Sequence, residues 1–278
     1  MTQFFTTTDG LKLAYDDRGS GHPVLCLPGL SRNMADFEPV VDQFADKARI
    51  IRLDLRGRGQ SDHDPDYHNY NTIREGQDVL ELLDHLGLAN VTILGTSRGG
   101  LIAMGLAMGH PDRLQGVIFN DIGPVVEPAG LAHIFGYLGV VPEYRDHEDA
   151  AHKMAHAMAP DFANVPHETY LRHARALYAE TESGVALRYD PLLRQSIMEQ
   201  AADGALPDIW PLFDALKGFP TALIRGANSN ILSAETAAEM CRRQPDMFFA
   251  EVPDRGHVPF LDEPEAVAVI DAYLEQIS

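Results

Sequence analysis

The sequence predicts an α/β fold, a mostly parallel sheet with an inserted helical cap. Through residues 1–123, short apolar runs alternate with amphipathic helical patterns, which is typical of a parallel sheet with crossover helices. Between residues 124 and 216 the strand patterns disappear and helical patterns separated by prolines replace them. Strand and helix patterns return over residues 217–278. We therefore predict a core made of 1–123 and 217–278, and a cap made of 124–216.

The strands of the first part are predicted from apolar runs that end at turn residues. Residues 3–7 and 11–16 form a predicted hairpin around Asp9-Gly10. Buried strands are predicted at 24–27, 50–53, 91–94 and 116–120, and helices at 35–45, at 72–86 and from 98 to about 108. The second helix begins with Thr72-x-x-Glu75, which matches a capping box.

The last part is predicted to complete the sheet after the insertion. Strands are predicted at 221–225 and 248–252, and helices at 234–243 and 264–277. The insertion is predicted to hold about four helices. Open α/β sheets place their sites at the carboxyl ends of the strands, so the insertion is a natural cap over that edge.

Composition and charge exclude several classes of protein. The 278 residues carry 22 Lys and Arg against 41 Asp and Glu, and the net charge of −19 argues against a nucleic-acid partner. No run of 18 apolar residues occurs, so we expect no membrane span, and the N-terminus lacks a signal-peptide pattern. Two cysteines, Cys26 and Cys241, imply no disulfide framework. We expect a cytoplasmic protein, and the sequence leaves a homodimer open.

A serine sits in a motif that is typical of nucleophilic catalysis. Gly95-Thr96-Ser97-Arg98-Gly99 matches G-x-S-x-G and lies between a predicted strand and a helix of small residues. Glycines at both ends allow a tight turn that projects the serine hydroxyl above the sheet. The helix N-terminus behind it favours negative charge near the serine. This context predicts that Ser97 is a nucleophile.

A histidine and two backbone amides complete the predicted chemistry. His257 follows the last predicted strand, so it emerges at the same sheet edge and is the candidate general base. The segment Leu27-Pro28-Gly29-Leu30 also ends a strand. The amides of Leu30 and Arg98 are the predicted oxyanion donors.

These segments together resemble the α/β-hydrolase fold family. The segments are LPGL at 27–30, DLRGRGQSD at 54–62, GTSRGG at 95–100, NDIGP at 120–124 and DRGHVPFLDEPE at 254–265. The resemblance covers essentially the whole chain except the cap. It implies an esterase, lactonase or related acyl hydrolase of a small-molecule substrate, with no cofactor. It also implies a triad in the order Ser, acid, His, with Ser97 first and His257 last.

The acid of this triad is a departure from the family pattern. The stretch RGANSNILS at 225–233 resembles R-G-x-x-S-D-x-L-S, which places Asn230 where the acid is expected. A neutral amide stabilises an imidazolium poorly and can favour the wrong tautomer. Three interpretations are open. Asn230 is an introduced, disabling substitution; or another carboxylate, best Asp121 after the strand at 116–120, serves His257; or the chain binds a ligand without hydrolysing it.

The sequence therefore predicts a serine hydrolase that cleaves a carboxylic ester or lactone through an acyl-enzyme. The alternatives are a C–C bond hydrolase of vinylogous diketones and a ligand-binding protein on a hydrolase scaffold. The Arg98 side chain is expected to pair with an internal carboxylate rather than with substrate. His152 and His156 have the i, i+4 spacing of metal ligands, but we expect a solvated helix and no metal.

The cap offers several residues that could line a pocket. From His133, Phe135, Tyr137, Leu138, Tyr144, Trp210 and Phe213 we expect two or three to contact substrate. The others are expected to pack inside the cap.

Overall fold

The computed structural model describes residues 1–202 and 208–277. Residues 203–207, which belong to the predicted cap, and Ser278 lie outside this described part. The strands of the described part are β1 (Gln3–Thr6), β2 (Lys12–Arg18), β3 (Pro23–Leu27), β4 (Arg49–Leu53), β5 (Val91–Thr96), β6 (Leu114–Asn120), β7 (Tyr178–Thr181), β8 (Gly184–Leu187), β9 (Thr221–Gly226) and β10 (Phe248–Val252). Eight of them form one sheet in the order β1-β2-β4-β3-β5-β6-β9-β10.

The sheet is mostly parallel, as the sequence predicts. Only β1 with β2 and β2 with β4 pair in antiparallel fashion, and the strands from β4 through β10 in the sheet order pair in parallel. The central strands β3 and β5 are buried almost throughout, which is expected when helices cover both faces of a parallel sheet. The predicted α/β class is confirmed.

The described part of the chain contains ten α-helices. They are α1 (Glu38–Phe44), α2 (Thr72–His85), α3 (Arg98–Gly109), α4 (Pro128–Tyr137), α5 (His147–Met158), α6 (His167–Leu177), α7 (Leu193–Ala202), α8 (Trp210–Asp214), α9 (Ala234–Arg243) and α10 (Pro264–Ile277). One apolar cluster joins the sheet to α2, α3, α8 and α9, and another joins it to α1 and α10. No described helix is long and apolar enough to cross a membrane.

The start of α2 differs from the prediction. Asn71, not Thr72, is the N-cap, and its side chain accepts hydrogen bonds from the amides of Ile73 and Arg74. Glu75 is fully buried and does not close a capping box. Thr72-x-x-Glu75 is therefore not a capping box, and the Glu75 carboxylate pairs instead with Arg58 and Arg98.

The insertion between β6 and β9 contains α4 to α8 and one hairpin that the sequence analysis missed. Strands β7 and β8 pair antiparallel, with Tyr178 opposite Leu187, so the expectation that strands disappear here is wrong. Each strand has four residues, too few for the alternation of apolar and polar residues to stand out from helical patterns. Gly184 opens β8 at a φ of +132°, which favours glycine.

The insertion is tied to loops at the carboxyl ends of the sheet strands. The amide of Asp190 donates to the carbonyl of Gly57 at 2.8 Å, and the amide of Gly59 donates to the carbonyl of Arg188 at 2.7 Å. Both glycines follow β4. The amide of Ala163 donates to the carbonyl of Asp254, which follows β10, at 3.2 Å. These bonds hold the insertion against the edge where the functional residues are expected.

Candidate active site

Ser97 lies in a sharp turn between β5 and α3. Its φ of 50° and ψ of −112° are strained for a residue with a side chain. A methyl group at Gly99 would lie 2.2 Å from the carbonyl oxygen of Leu27, and one at Gly95 would lie 2.5 Å from the amide of Gly100. Only glycine fits at either position, because the helix packs this closely behind the turn. The turn therefore fixes the serine side chain at the carboxyl edge of the sheet.

The loop after β10 brings His257 to this serine. Nε2 of His257 lies 3.0 Å from Oγ of Ser97, and Nδ1 lies 2.8 Å from Oδ2 of Asp121. Because a carboxylate only accepts, Nδ1 donates to Asp121 and Nε2 is free to accept the serine proton. Asp121 is fully buried and the His257 side chain is 13% exposed. The structure thus joins three residues that are far apart in the chain.

Asp121 is held at the end of β6 by the neighbouring strand β9. The amide of Asp121 donates to the carbonyl of Ile224 at 2.8 Å. The amide of Gly226 donates to Oδ1 at 2.9 Å, and the hydroxyl of Ser229 donates to Oδ2 at 2.6 Å. Parallel pairing of β6 with β9 therefore supplies the carboxylate with its hydrogen bonds.

Asn230 lies beside this arrangement but is not the partner of His257. Asn230 lies in the loop after β9, and its backbone packs closely against α4. A methyl group at Gly130 of α4 would lie 2.3 Å from the carbonyl oxygen of Asn230. Asn230 is among the residues that line the larger cavity described below. The residue that approaches Asp121 from this loop is Ser229, whose hydroxyl also accepts from the amides of Ile231 and Leu232.

The two predicted oxyanion donors belong to segments next to the serine. Leu30 follows β3, and Arg98 is the first residue of α3, where an amide has no partner within the helix. Within the described part of the chain, neither amide donates to a protein acceptor. Leu30 lines the same small chamber as Ser97.

The Arg98 side chain turns away from the serine into the protein. Its Nε donates to Oε2 of Glu75 at 2.6 Å, and Nη2 donates to the carbonyl of Tyr70 at 3.0 Å. The other oxygen of Glu75 lies 2.8 Å from Nη1 of Arg58. Burial lowers the pKa of Arg58 to about 10, and its Nε donates to the carbonyl of Leu30 at 2.9 Å. Glu75 thus links Arg98, whose amide is one predicted oxyanion donor, to Arg58. Arg58 in turn binds the carbonyl of Leu30, whose amide is the other predicted donor.

Sequence reasoning missed Glu75 and Arg58. The expectation that Arg98 pairs with an internal carboxylate agrees with this geometry, but the pattern Thr72-x-x-Glu75 indicated a cap instead. Arg58 in the loop after β4, Glu75 in α2 and Arg98 at the start of α3 are far apart in the sequence, and no spacing identifies them as an ion triad. The packing of α2 against α3 brings Glu75 to Arg98, and the loop after β4 brings Arg58 to the same carboxylate.

A cavity opens from Ser97 toward the insertion. A chamber of about 110 Å³ contacts Ser97, and a chamber of about 410 Å³ extends from it. Seven residues line both chambers, namely Ser31, Arg32, Ile134, Tyr137, Met158, His173 and His257. The two chambers are therefore continuous, and their size suits a small molecule.

The predicted pocket residues of the insertion divide into two groups. His133, Tyr137 and Tyr144 line the larger chamber. Phe213 instead packs in the core against Phe119, and Leu138 is buried in a separate apolar cluster. Two further residues, Phe135 and Trp210, are not in the cavity lining either; the Trp210 ring stacks against the guanidinium of Arg243.

One exposed group on the insertion has the geometry of metal ligands. Glu148 and His152 on α5 and His167 on α6 place one ligand atom each within 4.8 Å of the others. His152 thus meets His167, whereas the sequence suggested His156 as its partner. Nε2 of His167 lies 2.9 Å from Glu148, and the two imidazole rings stack at 4.5 Å. This cluster does not line either chamber at Ser97.

Known proteins are similar to this chain in fold and in sequence. The sequence model of the α/β hydrolase fold matches residues 22–264. The crystal structure of an α/β hydrolase from Novosphingobium aromaticivorans superposes with a TM-score of 0.91 at 37% identity, over 99% of this chain and 98% of that one. The chain is thus similar along its full length to a solved member of that fold.

Characterised relatives carry hydrolase names. A 3-hydroxybutyrate-oligomer hydrolase of Cupriavidus necator is 31% identical, over 93% of this chain and 91% of its own. A 2-(acetamidomethylene)succinate hydrolase of Mesorhizobium japonicum is 27% identical, over 87% of this chain and 83% of its own. On the family match and these similarities, the chain belongs to the α/β-hydrolase fold family.

Proposed function

We propose that the protein is a serine hydrolase of carboxylic esters that works through an acyl-enzyme on Ser97. The observation that carries this proposal is the continuous path from Asp121 through His257 to Ser97. That path ends in a cavity of suitable size for a small molecule. A nucleophile, a base and a group that orients the base are the three parts that acyl transfer needs.

Acylation begins when Oγ of Ser97 attacks the acyl carbon. Nε2 of His257 takes the serine proton, and the imidazolium that forms keeps its Nδ1–H on Asp121. The carbonyl oxygen becomes an oxyanion, which the free amides of Leu30 and Arg98 stabilise. When the tetrahedral species collapses, Nε2–H of His257 protonates the leaving alcohol.

Deacylation repeats these steps with water. His257 takes a proton from water, the hydroxide attacks the acyl carbon, and the oxyanion again lies against Leu30 and Arg98. Collapse releases the acid and returns the proton to Ser97. In this proposal Asp121 takes the role of the triad acid, and Asn230 has no part in proton transfer.

We propose short esters as the first class of substrates to test. A relative at 31% identity is named for 3-hydroxybutyrate oligomers, which are esters of a short hydroxy acid. The larger chamber, about 410 Å³, suits a substrate of that size. A dimer or trimer of 3-hydroxybutyrate therefore belongs beside simple acyl esters in a first panel.

The test is labelling and turnover of the same protein. We expect hydrolysis of p-nitrophenyl acetate and covalent labelling by a fluorophosphonate, and we expect Ser97→Ala to abolish both. Ser233→Ala is the matched control because Ser233 caps α9 outside the cavity. Labelling that persists in Ser97→Ala would refute Ser97 as the nucleophile.

The same panel separates the alternative functions. A vinylogous diketone that is cleaved faster than every ester would indicate a C–C bond hydrolase with the same residues. Saturable ligand binding, without turnover of any substrate and without labelling of Ser97, would indicate a binding protein.

A further inference from the structure

The cavity at Ser97 holds one positively charged side chain. Among the described residues that line its two chambers, Arg32 is the one arginine or lysine. A methyl group at Gly29 would lie 3.2 Å from Cγ of Arg32 and 3.8 Å from Cβ of Ser97. Arg32 and Ser97 therefore flank the same glycine, and both residues line the smaller chamber.

One edge of this guanidinium is fixed by protein contacts and the other is free. Nε of Arg32 donates to Oδ2 of Asp36 at 2.6 Å, and Nη2 donates to the same carboxylate. Nη2 also lies 3.0 Å from Nδ1 of His173. Nη1 donates to no acceptor in the described part of the chain. Asp36 and His173 thus hold Arg32 in place while the two N–H groups of Nη1 remain available.

The contact with Arg32 also determines the protonation of His173. Because a guanidinium only donates, Nδ1 of His173 accepts, and a neutral ring then carries its proton on Nε2. Burial lowers the pKa of His173 well below its ordinary value, and the charges of Arg32 and Arg172 act in the same direction. His173 lines both chambers, and its Nε2–H finds no acceptor among the described residues.

Two residues that line the cavity, Arg32 and His173, therefore each have a donor without a protein partner among the described residues. We propose that Arg32 and His173 form a carboxylate-binding subsite, and that the substrate is an ester which also carries a free carboxylate. This inference rests on the proposed function. The acid group binds to Arg32 and His173 while the scissile carbonyl lies at Ser97.

The free edge of Arg32 favours a carboxylate over other groups, although Asp161 also lines the larger chamber. A planar carboxylate matches the free edge of a guanidinium that is already oriented. A phosphate dianion would need a second cation, which the described lining does not offer. A neutral ester would leave both donors unpaired after it displaces water, which lowers its affinity.

The experiment compares monoethyl succinate with ethyl levulinate, in which a methyl group replaces the acid hydroxyl. Ethanol release gives kcat/KM for each ester. We expect the wild type to prefer the acid ester, and Arg32→Gln to lower kcat/KM for it by roughly 10- to 100-fold and so remove the preference. Arg32→Lys should recover part of the loss. Arg175→Gln is the control, because Arg175 is exposed on the same helix as His173.

If neither ethyl ester is cleaved, protection of Ser97 from labelling tests the carboxylate-binding subsite instead. Succinate should protect Ser97 from fluorophosphonate labelling in the wild type, and this protection should weaken in Arg32→Gln. Equal preference, or equal protection, in wild type and Arg32→Gln overturns the subsite and leaves the proposed function intact. No labelling of Ser97 at all contradicts the proposed function itself.

Discussion

The amide of Gly226 donates to Oδ1 of Asp121 at 2.9 Å, although the two residues are 105 positions apart. They meet because β6 and β9 are neighbours in parallel register, with Asn120 opposite Ile224. A carboxylate after either strand can therefore approach the loop that holds His257. In this structure the carboxylate after β6, Asp121, binds Nδ1 of His257.

The first prediction contrasts Asp121 with Asn230. Asp121→Asn should lower kcat by about 10⁴-fold, because the amide can hold the wrong tautomer of His257 and stabilises the imidazolium poorly. Asn230→Asp should leave kcat for p-nitrophenyl acetate within about threefold, since Asp121 already occupies Nδ1 of His257. Steady-state kinetics on the two variants checks this. A large gain of activity in Asn230→Asp would return the acid role to position 230.

The sequence predicted most of the strands and helices of the fold but fewer of the contacts in the candidate site. The strand and helix patterns were strong, and the positions of Ser97 and His257 at one sheet edge followed from the order of the strands. The choice between Asn230 and Asp121 could not be made, because it depends on which strands are neighbours. Glu75 was also missed, since its partners come from separate loops and helices.

The second prediction concerns Glu75. This carboxylate is fully buried between Arg58 and Arg98, so its removal leaves two buried cations near each other without a counter-ion. Glu75→Gln should lower the free energy of unfolding by about 3–5 kcal/mol. It should also lower kcat, because Arg58 holds the carbonyl of Leu30.

Urea unfolding and steady-state kinetics measure these two effects. Glu239→Gln is the matched control, because Glu239 pairs with Arg242 and Arg243 at the surface, where screening by solvent leaves a much smaller effect on stability. If Glu75→Gln is as stable as this control, the ion pairs of Glu75 with Arg58 and Arg98 do not stabilise the fold.

The third prediction compares two glycines of α3. A methyl group at Gly99 would lie 2.2 Å from the carbonyl oxygen of Leu27, whereas one at Gly105 would meet nothing within 4 Å. Gly99→Ala should destabilise the protein by about 3 kcal/mol or more and displace Ser97. Gly105→Ala should stabilise it by about 0.5–1 kcal/mol, because alanine favours a helix. Thermal unfolding and the rate of fluorophosphonate labelling check both, and equal effects of the two variants would contradict the close packing at the turn.

The last prediction follows from the lowered pKa of His173, which burial causes first and the charges of Arg32 and Arg172 reinforce. Below the ordinary pKa of about 6.5, the unfolded chain binds a proton that the folded imidazole does not. The contribution of His173 to stability should therefore be complete above pH 6.5 and fall as the pH drops, by at most about 1.4 kcal/mol per pH unit.

The variant His173→Gln isolates this effect from other groups. Asp54 acts in the opposite direction, because burial raises its pKa to about 6 and its protonation favours the folded state. The difference in unfolding free energy between wild type and His173→Gln cancels Asp54 and should shrink from pH 7 to pH 5. A difference that stays constant over this range would mean that His173 titrates alike in the folded and unfolded chains. In that case, Arg32 would not hold the imidazole in its neutral form.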